Sequence, residues 1–178
     1  MKMKPVSLTQ PLGFFAACIT LGLEYIHSNG VIHRDIKPEN LVFDAEGYLK
    51  ITDFGIARVW TLENSHDTSG TPGYMAPEVM CRQNHGVATD YFALGVIVYE
   101  CMLGKRPYQG RTRKEIRDHI LAKQAIINLR DLPYGWSIEA IDLVNKVYFK
   151  AMIIALTKKT HSTSRFEWAR RGEETSLV

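Results

Sequence analysis

Asp35, Lys37, Asn40 and Asp53 are crowded into one short stretch of the chain, and together they are the groups a phosphoryl transfer needs. Such a reaction requires a carboxylate to orient the attacking hydroxyl and accept its proton. It also requires divalent metal to neutralise phosphate charge and a cation beside the group in flight. Asp35 is the natural base, and Lys37, two residues on, places an ammonium next to it. Asn40 offers a neutral oxygen and Asp53 a carboxylate, a pair suited to Mg²⁺ held largely by phosphate oxygens and water. Taken singly, each is an ordinary surface turn residue. At this spacing the four point to one site.

The elements that must position them are legible in the spacing of apolar residues. Phe15, Cys18, Ile19, Leu23 and Ile26 recur at helical intervals, which predicts a helix from Phe14 to His27, ended by Ser28-Asn29-Gly30. Val31-Ile32, Leu41 to Phe43 and Leu49 to Ile51 read as short strands, with Asp44 to Gly47 as a hairpin turn between the last two. Residues 53–78 are rich in Ser, Thr, Gly and Pro and read as one long loop; a loop of that length in a compact domain is usually functional. Asp90 to Leu103 is apolar nearly all round and predicts a buried helix. Arg111 to Ala122 predicts an amphipathic, basic helix, and Ser137 to Val147 a further one with Ser137 as its cap.

The chain of 178 residues is 46% hydrophobic and 23% charged, the composition of an ordinary globular domain. Its net charge of +3 argues against a dedicated nucleic-acid surface. Residues 1–147 carry 16 basic and 16 acidic side chains, while the last 31 carry 6 basic against 3 acidic. Residues 148–178 therefore read as a separate, basic, partly disordered tail. Cys18, Cys81 and Cys101 are odd in number and fit no metal spacing, so a reduced, cytoplasmic setting is expected. Met1 to Lys4 followed by the run Leu12 to Leu23 has the outline of a signal peptide, but Glu24, Tyr25 and His27 continue that run as a helix leading into the site. No run reaches the roughly 18 apolar residues of a membrane span.

Three ordered signatures contain the site: His33 to Asn40, Asp53-Phe54-Gly55 and Ala76-Pro77-Glu78. Their order and separation resemble the catalytic loop, metal-binding loop and activation-segment anchor of protein kinases. With Gly22 to His27, Gly70 to Glu78 and Asp90 to Val96, residues 13–147 resemble the C-terminal lobe of a eukaryotic-type serine/threonine protein kinase of the basophilic, cyclic-nucleotide-dependent group. Small-molecule kinases of the aminoglycoside type share the His-x-Asp, Asn and later Asp, but lack the Lys at this offset and the Ala-Pro-Glu.

The resemblance implies a mainly α fold with short β-hairpins, ATP and Mg²⁺ as cofactors, and a protein substrate with basic residues before the acceptor. It implies catalytic roles for Asp35, Lys37 and Thr71, the last bridging the other two. Lys37, Glu39, Asn40, Val42 and Asp53 would serve the nucleotide, with Asn40 and Asp53 on the metal and Val42 beneath the adenine, Ile97 and Cys101 under it. Asp90 would accept backbone amides of the catalytic loop, His33 and Phe54 would stack, and Glu39 and Glu100 would bind substrate arginine. Asp67 stands where such kinases commonly carry a phosphorylated Thr that pairs with Arg34. A carboxylate there would partly order the segment without modification, with one negative charge where phosphate has nearly two.

Two departures qualify these expectations. No glycine-rich phosphate loop and no Val-Ala-x-Lys strand precede Asp35, so 1–12 read as a short lead and the N-terminal lobe as missing. Near Tyr148 the pattern changes, through an altered reading frame or exon or a divergent tail. Ala155 then falls where the family's Arg partner of Glu78 belongs. An incomplete, non-enzymatic kinase fold that binds proteins is therefore the second reading of the chain.

Overall fold

The computed structural model describes residues 9–123, 125–131, 136, 138–139, 141–142 and 144–146. Helix α1 spans Thr9–Ser28 and begins ahead of the predicted Phe14 start. Pro11 is tolerated because amides of the first helical turn have no intrahelical acceptor to lose. Ile19, Leu23 and Ile26 lie on one face and are buried, while Leu21 and Tyr25 face outward.

Strand β1 is Val31–Ile32. A 3₁₀ turn at Pro38–Asn40 leads into β2, Leu41–Phe43, which pairs antiparallel with β3, Leu49–Ile51. Asp44 closes this hairpin: its Oδ1 accepts the amides of Glu46 at 3.1 Å and Tyr48 at 2.8 Å. Strand β4, Arg58–Val59, pairs antiparallel with β1, Val31 opposite Val59 and Ile32 opposite Arg58. This corrects the expectation of one uninterrupted loop over 53–78. Two residues are too few to show a strand period, and the open edge of β1 decides the pairing.

Helix α2 is Pro77–Met80, α3 is Ala88–Leu103 and α4 is Arg113–Ala122, and a second 3₁₀ turn covers Leu129–Asp131. In α3, Phe92, Leu94, Val96, Ile97, Val98 and Met102 are all buried, which makes it the axis of the core. α1 packs along α3 and over β3, so Leu23 and Val96 meet the core with no exposed surface. Full burial of such a side chain contributes about 1.5–3 kcal/mol each. α4 starts at Arg113 because Thr112 is its cap, accepting the Glu115 amide at 3.2 Å, while Glu115 returns to the Arg111 amide at 2.8 Å.

Ile138, Glu139, Ile141, Asp142 and Val144 to Lys146 have helical backbone, in keeping with the predicted helix there. Asn145 fastens this piece through its side-chain amide, which bonds the Ile127 amide at 2.9 Å and carbonyl at 3.0 Å. Ser137, the predicted cap, and the tail 148–178 lie outside the described residues. Among the described residues no helix is long and apolar enough to cross a membrane.

Candidate active site

The segment between β1 and the first 3₁₀ turn carries Asp35, and a buried carboxylate from α3 holds it in place. Asp90, 1% exposed, accepts the amides of His33 at 2.9 Å and Arg34 at 2.8 Å, and His27 Nε2–H at 2.8 Å. Arg34 is thereby kept at φ 71°, a left-handed conformation that costs a non-glycine residue roughly 1–3 kcal/mol and persists only where its surroundings demand it. The expected role of Asp90 is met, and His27 is an additional partner that the sequence did not reveal.

Asp35 is the hub of the site. Its Oδ1 accepts the Thr71 amide at 3.0 Å and hydroxyl at 2.7 Å. Its Oδ2 accepts Lys37 Nζ at 2.7 Å and Asn40 Nδ2 at 3.2 Å, and Asn40 Nδ2 also donates to the Asp35 carbonyl at 2.9 Å. Lys37 Nζ reaches Thr71 Oγ1 at 3.1 Å, so Thr71 does bridge the acid and the base. Burial works to raise the Asp35 pKa, but the hydrogen bonds from Lys37, Thr71 and Asn40 and the Lys37 charge outweigh it and hold the carboxyl below its ordinary range. The Asp35 hydrogen bond and charge raise the Lys37 pKa against a smaller burial effect.

Asp53 follows β3 at φ 62° and is exposed; its Oδ1 accepts the Gly55 amide at 3.1 Å. Thr52 joins it to the loop that carries Asp35 by donating its amide and hydroxyl to the Asn40 carbonyl at 2.9 and 3.0 Å. His33 braces both loops: Nε2–H donates to the Thr52 carbonyl at 3.0 Å, Nδ1 accepts the Asp35 amide at 3.3 Å, and the ring lies edge-on to Phe54 at 5.0 Å. With Asn40 Nδ2 committed to Asp35, the Asn40 side-chain oxygen is left to act as a ligand. That oxygen and the exposed Asp53 carboxylate suit Mg²⁺, which takes one or two protein oxygens alongside phosphate and water. Three-residue clusters of metal-binding side chains are absent among the described residues.

The sequence of the chain matches the protein kinase domain family over residues 4–163. The chain belongs to the protein kinase domain family. It is 41% identical over 134 residues to a "cAMP-dependent protein kinase, catalytic subunit-like" protein of Caenorhabditis briggsae, covering 75% of this chain and 33% of that one. It is 37% identical over 134 residues to the "cAMP-dependent protein kinase catalytic subunit" of Dictyostelium discoideum, 75% of this chain and 20% of that one. With "Ribosomal protein S6 kinase 2 alpha" of Xenopus laevis it shares 36% over 163 residues, 90% of this chain and 20% of that one. The chain thus spans a third or less of the length of these curated relatives. They are serine/threonine kinases of the group to which the sequence signatures pointed.

In this kinase domain the segment after Asp53 is pinned to the scaffold at several points. Arg34, with a buried guanidinium, pairs through Nη1 with Asp67 and donates Nε to the Ile56 carbonyl at 2.7 Å. Arg113 from α4 donates to the Thr68 carbonyl at 3.0 Å. Asn64 exchanges two hydrogen bonds with the His85 backbone, at 2.8 and 2.9 Å, and Trp60 Nε1 joins it at 3.2 Å. Only the Arg34 contact was foreseeable; the others join residues that no motif relates.

Val42 is exposed on β2. Ile97 lies in the core, and Cys101, one turn further along α3, is exposed. Glu39 is exposed at the 3₁₀ turn. Glu78 is buried in α2, and position 155, where its family partner would fall, lies outside the described residues. Among the described residues no disulfide joins Cys18, Cys81 or Cys101.

Proposed function

We propose that the chain carries the catalytic side of a serine/threonine protein kinase, moving the γ-phosphate of ATP to a protein hydroxyl. The observation that carries this reading is the convergence of Thr71, Lys37 and Asn40 on the two oxygens of Asp35. A carboxylate held below its ordinary range is a weak base. Asp35 therefore orients the acceptor hydroxyl and takes its proton as the bond to phosphorus forms, rather than ionising it beforehand. Lys37, its positive charge secured by Asp35, compensates charge on the transferring phosphoryl. Thr71 keeps both in register. Mg²⁺, held by Asn40 and Asp53, would neutralise the phosphate oxygens.

Val42 offers an apolar face to the adenine, and Glu39 and Glu100 an acidic surface to basic residues preceding the acceptor. The work is placed in the cytoplasm, where thiols stay reduced. Residues before Asp35 include no glycine-rich phosphate-loop motif and no Val-Ala-x-Lys motif, and each missing charged contact of that kind costs roughly 10²-fold or more in rate. We accordingly expect the 178 residues alone to bind nucleotide weakly and to transfer little. A second reading, a protein-binding module, is favoured by the exposed aromatic and apolar surface of Phe14, Phe43, Tyr48 and Val42.

The two are separated by phosphotransfer from Mg-ATP to a serine peptide, with Asp35→Asn as control, alongside thermal shift with Mg-ATP. Asp35-dependent transfer by this chain defeats the module reading. The absence of both transfer and any thermal shift at millimolar Mg-ATP defeats the catalytic one.

A further inference from the structure

A second charged cluster lies beside Asp35 and takes no part in the transfer chemistry. The turn after Thr71 closes with the Tyr74 amide on the Thr71 carbonyl at 2.9 Å, which ties Tyr74 to Asp35's own partner. The Tyr74 hydroxyl donates to Glu100 Oε2 at 2.7 Å. Burial first, then the Glu100 hydrogen bond and the charges of Glu100 and Glu39, raise the Tyr74 pKa, so both carboxylates act on this one hydroxyl. The Tyr74 hydroxyl thus sits in a negative patch centred on Glu100.

Arg106, from the loop after α3, reaches into that patch. Its guanidinium carbon lies 5.7 Å from the Tyr74 ring centroid and its Nε 4.0 Å from Glu100 Oε1. The guanidinium fills the room over Gly73, where an added Cβ would overlap Arg106 Nη1. Both Glu100 oxygens are therefore faced by this chain's own groups, Tyr74 on one and Arg106 on the other. The Arg106 side chain is 40% exposed and Glu100 33%, so the pair is weak and the guanidinium can be displaced.

We propose that Arg106 is an internal occupant of the subsite for a basic residue of the protein substrate, and that position 73 is glycine so that Arg106 can lie there. The inference rests on the kinase reading and adds to it a built-in competitor. A substrate Arg or Lys gains the full charge of Glu100 only after Arg106 swings away, because two cations cannot share one carboxylate without repulsion.

The test is binding to the full chain, followed by fluorescence anisotropy, so that no phosphotransfer is needed. One labelled peptide carries arginines before an alanine in place of the acceptor, and a matched peptide carries glutamines instead. Arg106→Ala, and Arg106→Gln beside it, are expected to raise affinity for the arginine peptide about fivefold, the scale of one partly exposed charge pair. The glutamine peptide is unaffected, and adding Glu100→Gln abolishes the gain. Gly73→Ala, whose Cβ takes the room of the guanidinium, shifts affinity the same way with Arg106 still present. Unchanged or weaker binding of the arginine peptide, an equal gain for the glutamine peptide, or no binding by any variant overturns the proposal. An arginine-specific gain in a chain that transfers no phosphate keeps the subsite and removes only the catalytic reading.

Discussion

Asp90 and Arg34 are 56 residues apart, yet the Asp90 Oδ1 accepts the Arg34 amide at 2.8 Å and so holds Arg34 in a left-handed conformation. The same carboxylate takes the next amide back, that of His33, at 2.9 Å. Two successive amides aimed at one buried carboxylate set the direction in which the chain leaves β1. That direction delivers Asp35 to Thr71.

Asp90→Ala leaves those two amides and His27 Nε2 without their acceptor inside the protein. With about 1–3 kcal/mol for each buried group left unsatisfied, a loss of about 3 kcal/mol or more is expected. Urea unfolding followed by tryptophan fluorescence measures it. A loss under about 1 kcal/mol contradicts the structural role given to Asp90.

Asp67→Ala removes the carboxylate from a guanidinium that is 4% exposed, while Asp67 itself is about a third exposed. Because Ile56 still satisfies part of Arg34, the expected cost is about 1–3 kcal/mol rather than that of a fully buried broken pair. Hydrogen exchange of amides 61–70 should quicken, while exchange in α3 stays as it was. Unaltered exchange in that stretch would mean that Asp67 does not order the segment.

Gly70→Ala should be among the worst substitutions near the site. Gly70 sits at φ 128°, and an added Cβ would lie 2.7 Å from the Arg34 carbonyl oxygen and 3.2 Å from Met75 Cε. A side chain meets both a disfavoured backbone conformation and a fixed backbone atom, for a cost of about 2 kcal/mol or more. In a chain of this size that lowers Tm by about 4 °C or more. A calorimetric Tm within a degree of wild type contradicts it.

The Asp35–Lys37 pair has a definite pH signature. Asp35 is depressed from its ordinary 3.8, so its contribution to stability is present above that value and is lost as pH falls through the lower, folded value. Lys37 is raised from its ordinary 10.5, so its contribution is complete below that value and fades as pH rises through the higher, folded one. Between about pH 5 and 9 the pair adds no slope. Urea midpoints against pH should show Asp35→Asn flattening the acid limb and, because Lys37 owes its raised pKa mainly to Asp35, the alkaline limb as well; unchanged limbs refute the coupling.

Much of the site was legible because its residues are close in sequence. Lys37, Asn40 and Asp35 are near neighbours, and their bonds follow from one tight loop. α3 was legible from its long apolar run, and β1, β2 and β3 from short apolar pieces beside Ser28-Asn29-Gly30 and the Asp44 to Gly47 turn. β4, Arg58–Val59, was not, because it is a basic residue and a valine inside the Ser-, Thr-, Gly- and Pro-rich stretch 53–78, with no turn signal to mark it. The start of α1 was misjudged because proline and glycine usually mark ends, and a first-turn proline is the exception. Gly73 and Arg106 were passed over because nothing local links a small residue in one turn to a long one after another helix.

The family, the candidate site residues and most of the helices were legible in the sequence alone, because local chemistry and periodicity act over a few bonds or turns. Tertiary structure decided what each group faces. It placed Thr71 on Asp35, Asp67 on Arg34, Asn64 on the His85 backbone and Arg106 on Glu100. Those contacts depend on how α1, α3 and the two small sheets pack in space, and packing is a property of the whole chain that no window of residues contains.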